Sequence, residues 1–251
     1  MELLNTLAFI TAGLLSGVMN TLASSGSAIT LPVMIFLGIP PSIANATNRL
    51  PILVSSAISV RNFNKSKNII WPKTIKISVP IVLGTLVGSA LVRYLNPEKL
   101  QVLVLFALIL SFILIITNSK RILKGKSVIK KISPKNYILF FFIGIWAGLI
   151  VLDSAMLMLF ELIIGCGLDL TKANPIKNFL LLMVSIFSIL IFYQNHLINW
   201  KVGFMLSIGS FCGGYFASKL NHSDNKHWIY VLLIAILSVE IMTLAIKILL
   251  N

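Results

Sequence analysis

Acidic residues are nearly missing from this sequence: seven Asp and Glu stand against 21 Lys and Arg, for a formal charge of +14 over 251 residues. Cysteine is scarce as well. Cys166 and Cys212 lie in apolar surroundings with no CxxC or Cys/His spacing, which argues against a disulfide framework or a thiolate metal site and leaves them as small packing residues. The three histidines, His196, His222 and His227, fall in polar connections, so no histidine relay is set in an apolar stretch. No HExxH, Gly-x-Ser-x-Gly or nucleotide-binding loop occurs, and Ser25 has no candidate base nearby in sequence. Neither catalytic residues, a metal nor a cofactor is therefore expected, and ATP-driven transport by this chain alone is excluded at the level of motifs.

Apolar residues are what the chain has. At 57% hydrophobic, 11% charged and a mean hydropathy of +0.96, a water-soluble domain of this length is implausible. The runs are too long and too weakly alternating for barrel strands, so the fold class is all-α, a polytopic membrane protein. Apolar segments fall at about 5–22, 24–38, 42–60, 77–93 and 98–117, then at 136–152, 154–168, 173–194, 201–220 and 228–250. That is about 8–10 membrane segments. The start, with Glu2 and no basic cluster, does not resemble a cleavable signal peptide, so the first run is expected to stay in the membrane.

The positive charge is concentrated. Arg61, Lys65, Lys67, Lys73 and Lys76 share one short polar connection, and Lys120, Arg121, Lys124, Lys126, Lys130, Lys131 and Lys135 share a second. Twelve of the 21 basic residues thus sit in two loops without an acid. Such loops are retained in the cytoplasm and meet anionic headgroups, so loops 61–76 and 118–135 are expected on the cytoplasmic side of an inner (plasma) membrane, and the partners are the lipid bilayer and not nucleic acid.

From Ala44 onward the chain matches itself 129 positions later without a gap. Ala44-Asn45 meets Ala173-Asn174, Ser56 meets Ser185, Ser59 meets Ser188, Trp71 meets Trp200, Gly84 meets Gly213, and upstream Gly38 meets Gly167. Asn, Trp and Gly matches at one fixed offset point to two homologous helical repeats, 1–117 and 136–251, joined by the basic linker 118–135. In a chain this apolar, that is the pattern of a transporter whose halves rock about a site at their interface. Gly84-xxx-Gly88, Gly144-xxx-Gly148 and Gly209-xxx-Gly213 are faces for close helix approach.

Each half also carries irregular chemistry at the same place. In the first it is Ser24-Ser25-Gly26-Ser27, then Gly38-Ile39-Pro40-Pro41 and Asn45-Ala46-Thr47-Asn48-Arg49; in the second it is Asp153-Ser154-Ala155, then Gly165-Cys166-Gly167 and Asn174-Pro175-Ile176-Lys177-Asn178. Irregular backbone in a membrane is tolerated where it lines a cavity or is buried in protein. Small residues ahead of a short helix leave N–H groups that attract an anion. Segments 24–38 and 154–168 hold 15 residues each, about 22 Å of helix against a hydrocarbon core of about 30 Å. They are short crossings, giving five elements per half and inverted repeats, or broken, re-entrant half-helices of one span, giving four crossings per half and parallel repeats; length does not choose between them.

Five ionisable side chains fall inside apolar segments: Arg49, Asp153, Glu161, Lys177 and Glu240. The repeat aligns Asn48 with Lys177 and Arg49 with Asn178, so each half presents an amide beside a cation. We expect these four to face a shared cavity, where Arg49 can hold an oxyanion in bidentate fashion and Lys177 adds a point charge; snorkelling to headgroups is the structural alternative. Asp153 and Glu161 are candidates for proton coupling, or for plain ion pairing, Asp153 with Lys177. Glu240, seven residues before Lys247, suits a structural pair.

The Gly/Ser-rich break, the short apolar helix with Leu31-Pro32, then Leu37-Gly38 and a helix opening Ala44-Asn45-Ala46-Thr47, resemble the sulfite exporter TauE/SafE family over about residues 8–245. The resemblance implies an inner-membrane permease, bacterial or archaeal, for small anions such as sulfite, sulfoacetate or other organosulfonates. The substrate-binding residues it suggests are Ser24, Ser25, Gly26, Ser27, Asn48, Arg49, Ser154, Lys177 and Asn178. The family's run of three glycines is here Ser24-Ser25-Gly26 and Asp153-Ser154-Ala155. Competing readings are a proton-coupled transporter of a cationic or neutral solute using Asp153 and Glu161, and a membrane scaffold that transports nothing. Substrate, direction and oligomeric state, a homodimer among the options, are open.

Overall fold

The computed structural model describes residues 2–22, 26–67, 69–94, 132–150, 152 and 154–219, with isolated positions in 109–117 and 231–242. Ser24, Ser25, Asp153 and Glu240, nearly all of the basic linker 118–135, and most of segments 98–117 and 228–250 lie outside the described residues. Within them the chain is helical: α1 (Glu2–Leu22), α2 (Ser27–Phe36), α3 (Pro41–Thr47), α4 (Arg49–Lys65), α5 (Trp71–Leu91), α6 (Pro134–Leu149), α7 (Ser154–Phe160, continued by a π-turn over Glu161–Gly165), α8 (Leu170–Gln194) and α9 (Trp200–Lys219). By length and composition Leu3–Leu22, Trp71–Leu91 and Leu170–Gln194 can cross a membrane.

Local chemistry sets the helix ends. Pro41 and Pro134 open helices where their missing N–H costs nothing, and the Asp169 side chain accepts from the backbone N–H of Lys172 at 2.9 Å to start α8. Gly38 ends α2 at φ +86°, with its own N–H bonded to Ile35 O and that of Ile39 to Met34 O, both at 3.0 Å. That geometry uses a left-handed residue, which glycine supplies without strain. Gly167 takes φ +74° after the π-turn. Several landmarks are 129 positions apart: Gly38 and Gly167, the left-handed Lys67 and His196, the starts at Pro41 and Leu170, the ends at Lys65 and Gln194, and the starts at Trp71 and Trp200.

The short helices fold back. Gly26, just before α2, donates its N–H to Asn20 Oδ1 of α1 at 3.0 Å, and Met34 near the end of α2 shares a cluster with Phe9 and Ala12 of α1. Glu161, just past α7, accepts from Asn136 in the first turn of α6 at 2.6 Å. Both 15-residue segments therefore fold back beside the helix that precedes them.

The long helices form two sets. α1 runs parallel to α9, Gly13 lying on Leu206 and Gly17 on Ser210, and α9 runs parallel to α4, Gly203 lying on Leu50 and Ser218 bonding Asn62. α5 runs parallel to α6, Gly84 against Phe141 and Gly88 against Ile145, and to α8, with Trp71 edge-on to Phe179 and Ser89 bonding Ser188. α4 and α8 are antiparallel, since Arg49 at the start of α4 lies over Phe192 near the end of α8. The hairpins α1–α2 and α6–α7 consequently enter from opposite ends. Glycine contacts of this kind let backbones touch where lipid supplies no hydrophobic drive between helices.

Polarity is arranged for lipid. Leu83, Phe142, Phe204, Phe211 and Phe216 are exposed, whereas Arg49, Lys177, Asn48, Asn174, Asn178 and eighteen serines and threonines are buried among the described residues. A water-facing surface would carry the reverse.

Candidate functional site

Each hairpin leaves helix C-terminal carbonyls in the protein interior, and those groups have no partner inside their own helix. Buried in a membrane protein, they need donors from elsewhere. At the end of α1, Lys177 Nζ donates to Asn20 O at 2.6 Å, Asn174 Nδ2 to Thr21 O at 2.8 Å, and Asn178 Nδ2 to Thr21 O at 3.2 Å. At the end of α6, Asn45 Nδ2 donates to Leu149 O at 3.0 Å, Arg49 to Gly148 O at 3.2 Å, and Ser89 Oγ to Gly148 O at 3.3 Å. Asn45 of α3 and Arg49 of α4 thus hold the broken end of α6, and Asn174 and Lys177 of α8 hold that of α1. The negative end of a helix dipole adds to the attraction for both cations.

The two breaks are braced further. Asn20 also donates to Ser16 Oγ at 3.3 Å, Thr21 Oγ1 shares a bond with Ser59 Oγ at 2.9 Å, and Thr30 donates to Asn48 Oδ1 at 2.7 Å. Trp146 donates to Leu152 O at 3.2 Å across the second break.

The sequence-derived candidates do not gather at one point. Arg49 lies at the α6 end and Gly26, Lys177 and Asn178 lie at the α1 end, while Asn48 is bonded to Thr30 of α2, whose hydroxyl also reaches Gly26 O at 3.4 Å. Lys177 is 15 residues along α8 from Phe192, the residue under Arg49, so the cations are separated by about 22 Å along the helix axis. Snorkelling is not their arrangement either, because both are fully buried. Ser27 and Ser154 are buried at the starts of α2 and α7. Glu161 is held at the opposite end of α6 from Arg49, about 18 Å along it. Its partner Asn136 also accepts from the Ser133 N–H and hydroxyl at 2.7 Å each.

What separates Arg49 from Lys177 is spare capacity. Arg49 Nε and Nη1, Asn48 Nδ2 and Asn178 Oδ1 are buried with no hydrogen-bond partner among the described residues. Arg49 lies over the Phe192 ring at 5.5 Å, which stabilises the cation without using its N–H groups. An interior guanidinium with unused donors is costly to keep and is suited to a transient anionic guest. Sequence reasoning missed Asn20, Thr21, Asn45 and Asn174 as parts of the site. The match of Asn45 with Asn174 at the repeat offset was the available signal; the carbonyl acceptors carry none.

The family model for the sulfite exporter TauE/SafE matches residues 9–244, which includes both hairpins. The chain belongs to this family. It is similar to the probable membrane transporter protein YfcA of Escherichia coli strain K12, 24% identical over 244 residues that cover 94% of this chain and 87% of the relative. The probable membrane transporter protein ORF9 of a Sinorhizobium species is 24% identical over 218 residues, 85% of this chain and 82% of the relative. A probable membrane transporter protein of Haemophilus influenzae is 22% identical over 219 residues, 85% and 84% respectively. No solved structure matches the chain. As a TauE/SafE member with exposed apolar helices, the protein is a membrane transporter.

Proposed function

We propose that this transporter carries small oxyanions such as sulfite or organosulfonates outward across the inner membrane, and that Arg49 is the residue that receives them. The observation carrying this reading is the fully buried guanidinium at the α6 break with two nitrogens lacking a partner among the described residues. Asn48 beside it offers a further donor with no partner among the described residues, Gly26, Ser27, Ser154, Lys177 and Asn178 lie at the two breaks, and Ser24 and Ser25 precede Gly26 in sequence. The stretch 61–76, expected as a loop, is the end of α4 and the start of α5 around a short connection; it and the linker 118–135 would face the cytoplasm. We read the chain as an inverted repeat, 1–117 and 136–251, because the matched helix bounds, the opposed hairpins and the exchange of cation–carbonyl contacts all follow from one duplication; alternating access would then be rocking of the halves about α4 and α8.

Proteoliposome efflux of sulfite, methanesulfonate, acetate, a monoamine and a neutral sugar, with and without a pH gradient, tests this. The reading expects efflux of at least one of the anions. Movement of the amine or sugar while every anion stays inside would overturn it and favour the use of Asp153 and Glu161 as substrate carboxylates.

Proton coupling falls to Glu161 and Asp153. Glu161 is bonded to α6 at the end remote from Arg49, so a change in its protonation would alter the α6–α7 hairpin rather than the anion site itself. Glu161→Gln is expected to leave anion exchange within about twofold of wild type, a negligible free-energy change, and to abolish acceleration by a pH gradient. Unchanged acceleration would remove Glu161 from the coupling scheme.

A further inference from the structure

We propose that Ser56 and Ser185 form a second oxyanion station halfway between the two broken hairpins, on the line where α4 crosses α8. The inference rests on the anion reading above and extends it from one residue to a path. Because the two helices are antiparallel with Arg49 over Phe192, seven residues forward from Arg49 and seven back from Phe192 bring Ser56 opposite Ser185. Seven more bring Phe63 opposite Asn178. Seven residues are nearly two full turns, so the members of each series share one helix face, with about 10.5 Å between successive levels. The six side chains are buried, none more than 1% exposed.

The hydroxyls on this face are anomalous. A serine inside a helix ordinarily donates to a carbonyl three or four residues back. Ser55 does so to Ile52 O at 3.2 Å and Ser59 to Ser55 O at 2.6 Å, and Ser188 pairs with Ser89 at 3.0 Å. Ser56 Oγ and Ser185 Oγ have no partner among the described residues. They share that state with Arg49 at one end of the line and Asn178 Oδ1 at the other. Buried polar atoms without partners are rare enough to call for a cause, and here they mark successive levels of one interface.

The chemistry selects the guest. Two hydroxyls give neutral donors to an oxyanion, holding it less firmly than a guanidinium, as a conducting path requires of an intermediate station. Neither α4 nor α8 contains an Asp or Glu, and Arg49 two turns away would repel a cation. Phe63 and Phe192 flank the serine level on either side and narrow the path to small solutes.

The test is sulfite exchange in proteoliposomes by Ser56→Ala, Ser185→Ala and the double variant, with thermal melting of each in detergent and Arg49→Gln alongside. The double variant is expected to exchange about tenfold more slowly, one hydrogen bond's worth of stabilisation per transit. Its melting midpoint should not fall, because alanine removes hydroxyls that have no partner among the described residues. Ser56→Thr with Ser185→Thr should recover most of the rate. Exchange by the double alanine variant at the wild-type rate, while Arg49→Gln stalls, overturns the serine station and leaves the anion reading standing. A slowdown matched by a lower melting midpoint assigns the serines to packing and also overturns it. Absence of exchange by the wild type for any anion overturns the reading underneath and this inference with it.

Discussion

Arg49→Gln is expected to slow anion flux about a hundredfold, the loss of roughly 3 kcal/mol of charge-assisted binding from a desolvated site. Ser89 still donates to Gly148 O and Asn45 to Leu149 O in that variant, so the end of α6 retains partners and the protein should fold and insert. Arg49→Lys should fall between: it preserves charge but loses the fork of donors, including the two nitrogens left over in the resting structure. Initial rates of sulfite efflux, normalised to protein recovered in the vesicles, measure both. The matching change at the other break, Lys177→Gln, should act differently. Lys177 is committed to Asn20 O at 2.6 Å, so its loss is expected to lower the melting temperature more than it alters substrate preference.

The second large effect concerns packing. A Cβ at Gly209 would fall on the carbonyl of Ile10, and one at Gly88 on the carbonyl of Ile145. Both obstacles are backbone, which cannot rotate away, so α9 must move off α1 or α5 off α6. Gly209→Ala and Gly88→Ala are each expected to cost about 3 kcal/mol, the upper range for overpacking. Gly38→Ala is the contrast: an added Cβ there meets nothing within 4 Å, and only the φ of +86° resists it, for about 1 kcal/mol. Melting midpoints of the three variants in one detergent should rank in that order. Equal losses would mean that helix contact at the small residues does not govern stability.

Much of the fold was legible because its causes are local or periodic. Hydropathy gives membrane helices, and Pro41, Pro134 and Gly38 mark their ends; the apolar runs put the starts of α5 and α9 at 77 and 201, whereas the structure begins them at the matched Trp71 and Trp200. The breaks were located as well, since small and polar residues interrupt apolar runs at 23–26 and 150–153. The fold-back of α2 and α7 was not legible. Fifteen apolar residues are too few to cross a bilayer squarely and say nothing about direction; what returns the arms is contact from Gly26 to Asn20 and from Glu161 to Asn136.

The candidate site divides in the same way. Burial of Arg49 and Lys177 followed from charge within apolar segments, yet a single cavity was the wrong image for their placement. Each cation reaches a backbone carbonyl about a hundred or more positions away, 99 for Arg49 and 157 for Lys177. Carbonyls are common to every residue, so no sequence pattern announces which one is served. The Gly13-xxx-Gly17 face of α1 was overlooked for a simpler reason, its position in an ordinary apolar helix, although it meets Leu206 and Ser210 of α9 directly. Ser56 and Ser185 were visible as a repeat pair, but only the structure distinguishes them from Ser59 and Ser188, whose hydroxyls are bonded.

The most direct measurement is equilibrium binding of sulfite to the purified protein in detergent, with methanesulfonate as competitor and Arg49→Gln as comparison. One saturable site, displaced by methanesulfonate and weakened about a hundredfold by the substitution, is the result expected if the spare donors of the Arg49 guanidinium receive the substrate. Equal affinity for sulfite in the wild type and Arg49→Gln would contradict it.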